Sequence, residues 1–112
     1  QRAFYDYEAK YGNAGTTYEV PARLSEDEAR DVRKQAMRAY RVLGCRMMSR
    51  VDLMLADGKA YVLEVNTIPG LTSKSLLPKA AQQAGIDFTD LCVRILAMAL
   101  TDKKAAETWA GR

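Results

Sequence analysis

The sequence predicts a single α+β domain, and three observations predict it. Asp57-Gly58 stands between two runs of strand-forming residues, a strong hairpin signal. Ser25 precedes Glu28 by three residues at the head of a long run with helical periodicity. Two shorter helical patterns follow the hairpin. The chain has 112 residues, enough for one core. The expected order is β-β-α-β-β-α-α, a mostly antiparallel sheet covered by helices.

Taken in order, Phe4 to Tyr11 alternates and is rich in aromatics, so a first strand is expected there. Residues 12–17 are loop material, and Tyr18 to Pro21 is expected to be a short extended segment edged by its proline. Ser25 caps a helix over 26–43, whose face Ala29, Val32, Ala36, Ala39, Tyr40 and Leu43 is apolar, with Gly44 just past its end. Strands are expected over 45–55 and 60–66, then a loop over 67–73. A short helix over 77–84 carries Pro78 in its first turn and Gly85 after its end. Asp87 caps a last helix through Asp90, with Phe88, Leu91, Cys92, Ile95, Leu96 and Ala99 as its stripe. One domain over 1–102 and a frayed tail over 103–112 are expected. The start at Gln1, already inside a strand-like pattern, suggests a piece of a longer protein.

Composition narrows the chemistry. The chain has no histidine, which excludes within it a Ser-His-Asp triad, a Cys-His pair and a histidine-ligated zinc. Cys45 and Cys92 have neither metal-ligand spacing nor a CxxC pairing, so two reduced thiols are expected. A metal here must take oxygen ligands, which favours Mg²⁺, Ca²⁺ or Mn²⁺. The net charge of +3 is weak and the charges are interspersed, so no nucleic-acid partner is expected. No apolar run reaches the roughly 20 residues of a membrane span.

The informative residues lie on the two central strands. Side chains alternate, so Arg50, Asp52 and Met54 share one face of the first strand, and Val62, Glu64 and Asn66 share one face of the second. Leu53, Leu55, Tyr61, Leu63 and Val65 would then form the apolar side. A two-residue turn at Asp57-Gly58 would pair Ala56 with Lys59 and set Asp52 against Leu63. A three-residue loop, Asp57-Gly58-Lys59, pairs Ala56 with Ala60, Asp52 with Glu64 and Arg50 with Asn66. The hydrophobic pattern favours the three-residue loop. Two carboxylates facing each other across a ladder repel, so a cation is expected between them. A solvated polar face with a chance acid pair is the competing account.

Phe4-Tyr5-Asp6-Tyr7-Glu8-Ala9-Lys10-Tyr11, Arg50-Val51-Asp52, and the run from Leu63-Glu64-Val65-Asn66-Thr67-Ile68-Pro69-Gly70 through Leu71-Thr72-Ser73-Lys74-Ser75-Leu76-Leu77-Pro78 resemble D-alanine–D-alanine ligases of the ATP-grasp superfamily. The resemblance extends to about Leu100. It implies the C-terminal ATP-grasp subdomain of an enzyme that phosphorylates one D-alanine with ATP, then lets the amine of a second D-alanine attack the acyl phosphate. By matching position, Asp52, Glu64 and Asn66 would hold two Mg²⁺ (or Mn²⁺) ions. Lys10 would contact phosphate, Arg50 would stabilise the acyl phosphate and tetrahedral intermediate, and the Gly70 N–H would join the oxyanion hole. Ser75 and the Leu76 N–H would hold the carboxylate of the second D-alanine. Tyr11 would join a hydrogen-bonding network near the substrate.

The same resemblance implies a cytoplasmic homodimer acting in peptidoglycan synthesis, with no membrane partner. The rest of the ligase, including the adenine-binding lysines and the partners of Tyr11, would lie outside this chain, so the chain alone is expected to be inactive. D-lactate or D-serine as second substrate, another ATP-grasp carboxylate–amine ligase, and a non-catalytic metal- or anion-binding remnant are the alternatives. The Thr72 to Leu76 loop favours the dipeptide-forming type. Three positions depart from the family pattern. Met47 and Met48 stand where a glycine and an aromatic are usual, and Lys74 stands where histidine is common.

Overall fold

The computed structural model describes residues 17–102, and within them five elements follow one another. They are α1 (Glu26–Val42), β1 (Arg50–Ala56), β2 (Lys59–Asn66), α2 (Leu76–Gln83) and α3 (Phe88–Thr101). The strand expected over 4–11, with Lys10 and Tyr11, and the tail over 103–112 lie outside the described residues. Tyr18 to Pro21 joins no ladder, and the Val20–Pro21 bond is cis.

Helix α1 forms where its caps and stripe predict. The Ser25 Oγ accepts from the Glu28 N–H at 3.2 Å, and the Glu28 carboxylate accepts from the Ser25 N–H at 2.9 Å, a complete capping box. Its far end closes on backbone bonds from Gly44 to Arg41 and from Cys45 to Tyr40, the Schellman arrangement that uses up the last carbonyls. Helix α2 ends in the same way, with Gly85 bonded to Gln82 and Ile86 to Ala81. Helix α3 is capped as expected, the Asp87 carboxylate accepting from the Asp90 N–H at 2.7 Å.

The hairpin departs from the expected turn and keeps the expected site pairing. β1 begins at Arg50, five residues later than predicted. The left-handed Met47 lies just before it, with φ of 61°, and breaks the extended run. The turn holds two residues, Asp57 at φ 51° and Gly58 at φ 73°, so Ala56 pairs with Lys59. Both signs match the type I′ turn that suits strand twist. From there Leu55 faces Ala60, Met54 faces Tyr61 and Leu53 faces Val62. A bulge then absorbs Leu63, and Asp52 faces Glu64, Val51 faces Val65 and Arg50 faces Asn66.

The extra residue thus sits in the strand rather than in the turn. It reverses the expected faces of β2 on the turn side of the bulge. Val62 joins Leu53 and Leu55 on the apolar side, Tyr61 joins Met54 on the other, and Leu63 is the odd residue, 61% exposed.

Helix α1 packs across this hairpin, chiefly on β2, and α2 packs on α3. Next to a two-residue turn the flanking pair exchanges both ladder bonds, so the following pair turns its N–H groups outward. The outward N–H of Ala60 donates to the Asp31 carboxylate of α1 at 2.8 Å. That bond holds the Asp31 pKa below its ordinary value of 3.8, against the opposing effect of burial. Arg46 pairs with Asp102 at 3.5 Å, tying the approach to β1 to the end of α3.

Candidate functional site

Both strands carry their chemistry at the open end of the hairpin, away from the turn. There Arg50 and Asp52 of β1 face Asn66 and Glu64 of β2. The bulge at Leu63 is what brings the two acids opposite each other, and the cation expected between them is supplied by the chain itself. The Arg50 Nε donates to one Asp52 oxygen at 2.8 Å and an Arg50 Nη to the other at 3.0 Å. The same guanidinium lies 3.9 Å from a Glu64 oxygen. A planar fork against a carboxylate is the strongest form of such a bond. The guanidinium thus stands between the two acids, bonded to one and close to the other.

After β2 the chain turns on Asn66, whose Oδ1 accepts from the Ile68 N–H at 3.0 Å. This Asx bond sends the loop back across the strand ends. Pro69 is buried beneath it. Gly70 then passes close to Ser75. A Cβ at position 70 would lie 2.8 Å from the Ser75 Oγ and 3.3 Å from its Cβ, so a side chain there would displace the Ser75 hydroxyl. Ser75 is the N-cap of α2, yet its hydroxyl makes no capping bond to the helix. It turns back onto the loop, accepting from the Thr72 N–H at 3.1 Å and meeting the Thr72 hydroxyl at 2.8 Å. The N–H groups of the first turn of α2 are thus left without a cap from Ser75.

These pieces enclose one cleft of about 750 Å³. All seven predicted site residues that are described, Arg50, Asp52, Glu64, Asn66, Gly70, Ser75 and Leu76, line it. Lys10 and Tyr11 fall outside the described residues. Sequence reasoning missed Tyr18, Thr72 and Lys79, which line the same cleft. Lys79 was findable, since it follows Ser75 by four residues and side chains at that spacing share a helix face. Tyr18 was not, because no local pattern connects it to α2.

The donor set suits a hard cation. Asp52, Glu64 and Asn66 present only oxygen, and Mg²⁺ takes few protein ligands and completes its shell with water and phosphate. Among the described residues no cluster of three or more Asp, Glu, Cys or His side chains exists to hold a metal without such help. No described helix is long and apolar enough to cross a membrane.

The family profile described as D-ala D-ala ligase C-terminus matches residues 1–97. A D-alanine–D-alanine ligase of Cupriavidus pinatubonensis is 47% identical over 106 residues, 94% of this chain and 32% of that protein. One from Anaeromyxobacter sp. strain K is 53% identical over 95 residues, 84% of this chain and 31% of that protein. A solved D-alanine–D-alanine ligase from Bacillus anthracis matches with a TM-score of 0.77 at 44% identity, over 90% of this chain and 33% of that one. The structure of the Bacillus anthracis enzyme complexed with ATP matches with a TM-score of 0.71 at 41% identity, over 74% and 29%. The chain thus spans about a third of the length of the curated relatives it matches. With its backbone, its sequence and the strand-and-loop frame of the cleft all leading to one group of proteins, the chain belongs to the D-alanine–D-alanine ligase C-terminal family.

Proposed function

We propose that this chain is the C-terminal part of an ATP-dependent ligase that joins two D-alanines through an acyl phosphate. The observation that carries the reading is that the hairpin and the Gly70–Leu76 loop bring every described residue that the resemblance assigns to the site to the walls of one cleft. Asp52, Glu64 and Asn66 would hold Mg²⁺. Bound there, the metal supplies positive charge against the ATP phosphates and the transferred phosphoryl group.

The protein's own groups do the rest. Arg50 stabilises the acyl phosphate and the tetrahedral intermediate, because its guanidinium is always charged and donates in a fixed fork. The Gly70 N–H donates to the developing oxyanion. Ser75 and the Leu76 N–H receive the carboxylate of the second D-alanine, and the uncapped first turn of α2 supports this. Lys10 contacts phosphate and Tyr11 orders the substrate network. A cytoplasmic homodimer making peptidoglycan precursor is the setting the resemblance supports.

The test is ATP- and D-alanine-dependent phosphate release by the whole ligase and its variants. Arg50→Ala and Asp52→Asn should each lower kcat by at least about a hundredfold. Full turnover in either variant sinks the assignment.

A further inference from the structure

Both groups proposed to receive the second substrate's carboxylate, the Ser75 hydroxyl and the Leu76 N–H, are neutral. The cleft also contains Asp52 and Glu64. A carboxylate received by two neutral groups is held more tightly and more selectively where a cationic side chain stands beside them. Three cationic side chains among the described residues line the cleft: Arg50, Lys74 and Lys79. Arg50 is engaged by Asp52 and reaches Glu64. Lys74 stands in the exposed loop before α2.

Lys79 differs from both. It is half-buried and lies one helical turn beyond Ser75. Long side chains on a helix lean toward its N-terminus, which for Lys79 is the direction of Ser75 and Leu76. Its ammonium sits 4.6 Å from the centroid of the Tyr18 ring, another wall of the same cleft. A ring face holds an ammonium through its quadrupole and leaves the charge uncancelled. Among the described residues no carboxylate forms an ion pair with Lys79. The lysine is therefore held in place with its charge available to an incoming anion.

We propose that Lys79, positioned by the Tyr18 ring, determines specificity for the second substrate. Its ammonium offsets the charge of the incoming carboxylate, and so selects a free α-amino acid over a carboxyl-blocked amine as the attacking nucleophile. The inference rests on the ligase reading given above.

The test is a competition in one vessel. The whole ligase receives ATP, D-alanine and D-alanine amide, and chromatography measures the ratio of dipeptide to dipeptide amide. The ratio is internal to each preparation, so a partly folded variant does not distort it. Lys79→Met should shift the ratio toward the amide by about ten- to a hundredfold, the usual range for losing a charged partner. Lys79→Arg should retain most of the wild-type preference. Tyr18→Leu should shift the ratio in the same direction, while Tyr18→Phe, which keeps the ring, should not. With D-alanine alone, Lys79→Met should raise KM for the second substrate and leave kcat nearly unchanged. A Lys79→Met enzyme with the wild-type ratio, or one that forms no amide product, overturns the inference while the ligase reading stands. A wild-type enzyme that forms neither product overturns both.

Discussion

At the scale of single residues, two backbone positions carry consequences beyond their size. Met47 holds a φ of 61°, in a region that costs a non-glycine residue about 1–3 kcal/mol. The Tyr40 hydroxyl donates to its carbonyl at 3.1 Å and helps hold it there. Met47→Gly should therefore stabilise the fold by about 1 kcal/mol, after allowing for the greater freedom glycine has when unfolded. A thermal melt of the whole ligase measures it, and a lower Tm would contradict the strain argument. Gly70 is the reverse case, a glycine whose replacement would displace a neighbour. Gly70→Ala should push the Ser75 hydroxyl off Thr72 and raise KM for the second D-alanine. The effect should be strongly non-additive with Ser75→Ala, which removes the atom that a new methyl would meet first. Met47 was legible as a departure from the family pattern, but its left-handed backbone was not, since methionine carries no signal for that conformation. The closeness of Gly70 to Ser75 depends on the path of the loop, which no local pattern specifies.

At the scale of elements, the caps were readable because each is a short-range contact. Ser25 with Glu28, and Asp87 with Asp90, meet within a single turn. The hairpin was readable in part. The hydrophobic pattern required one extra residue somewhere between Ala56 and Glu64 if the acids were to meet, and the pattern alone does not locate it. The Asp57-Gly58 pair favours two residues in the turn, and the structure satisfies both demands by moving the extra residue to Leu63. The bond from the Ala60 N–H to Asp31 of α1 joins the helix to the outer edge of β2. Because the Asp31 pKa is depressed in the fold, the stability it adds is present above pH 3.8 and is lost as pH falls through its lower folded value. The Tm advantage of the wild type over Asp31→Asn should hold at neutral pH and shrink steadily below about pH 4. An advantage that is constant with pH would show that the carboxylate charge plays no part.

At the scale of the whole molecule, little of the described surface is hidden from solvent. Ala60 and Leu91 are its buried hydrophobic side chains, while Met54 and Tyr61 on the outer side of the hairpin are 58% and 54% exposed. Val93, Leu96 and Leu100 form an exposed stripe along α3. A two-stranded hairpin is marginal by itself, and α1 across it supplies the packing it needs. The cleft supplies only part of what the proposed reaction needs. With ATP, Mg²⁺ and D-alanine, this chain alone should release no phosphate above background. Turnover by the isolated chain would show that the remaining two thirds of such a ligase is dispensable for chemistry. The bulge also bears on how this strand pair can vary in length. Leu63 is one residue of slack: if β2 lost a residue between the turn and Leu63, the ladder could close up, and Asp52 would still meet Glu64. β1 has no such reserve, and a residue lost between Leu53 and Ala56 would leave two to absorb on the opposite strand. Shortening should therefore be tolerated on one arm of the hairpin and not on the other, although the two arms look interchangeable in sequence.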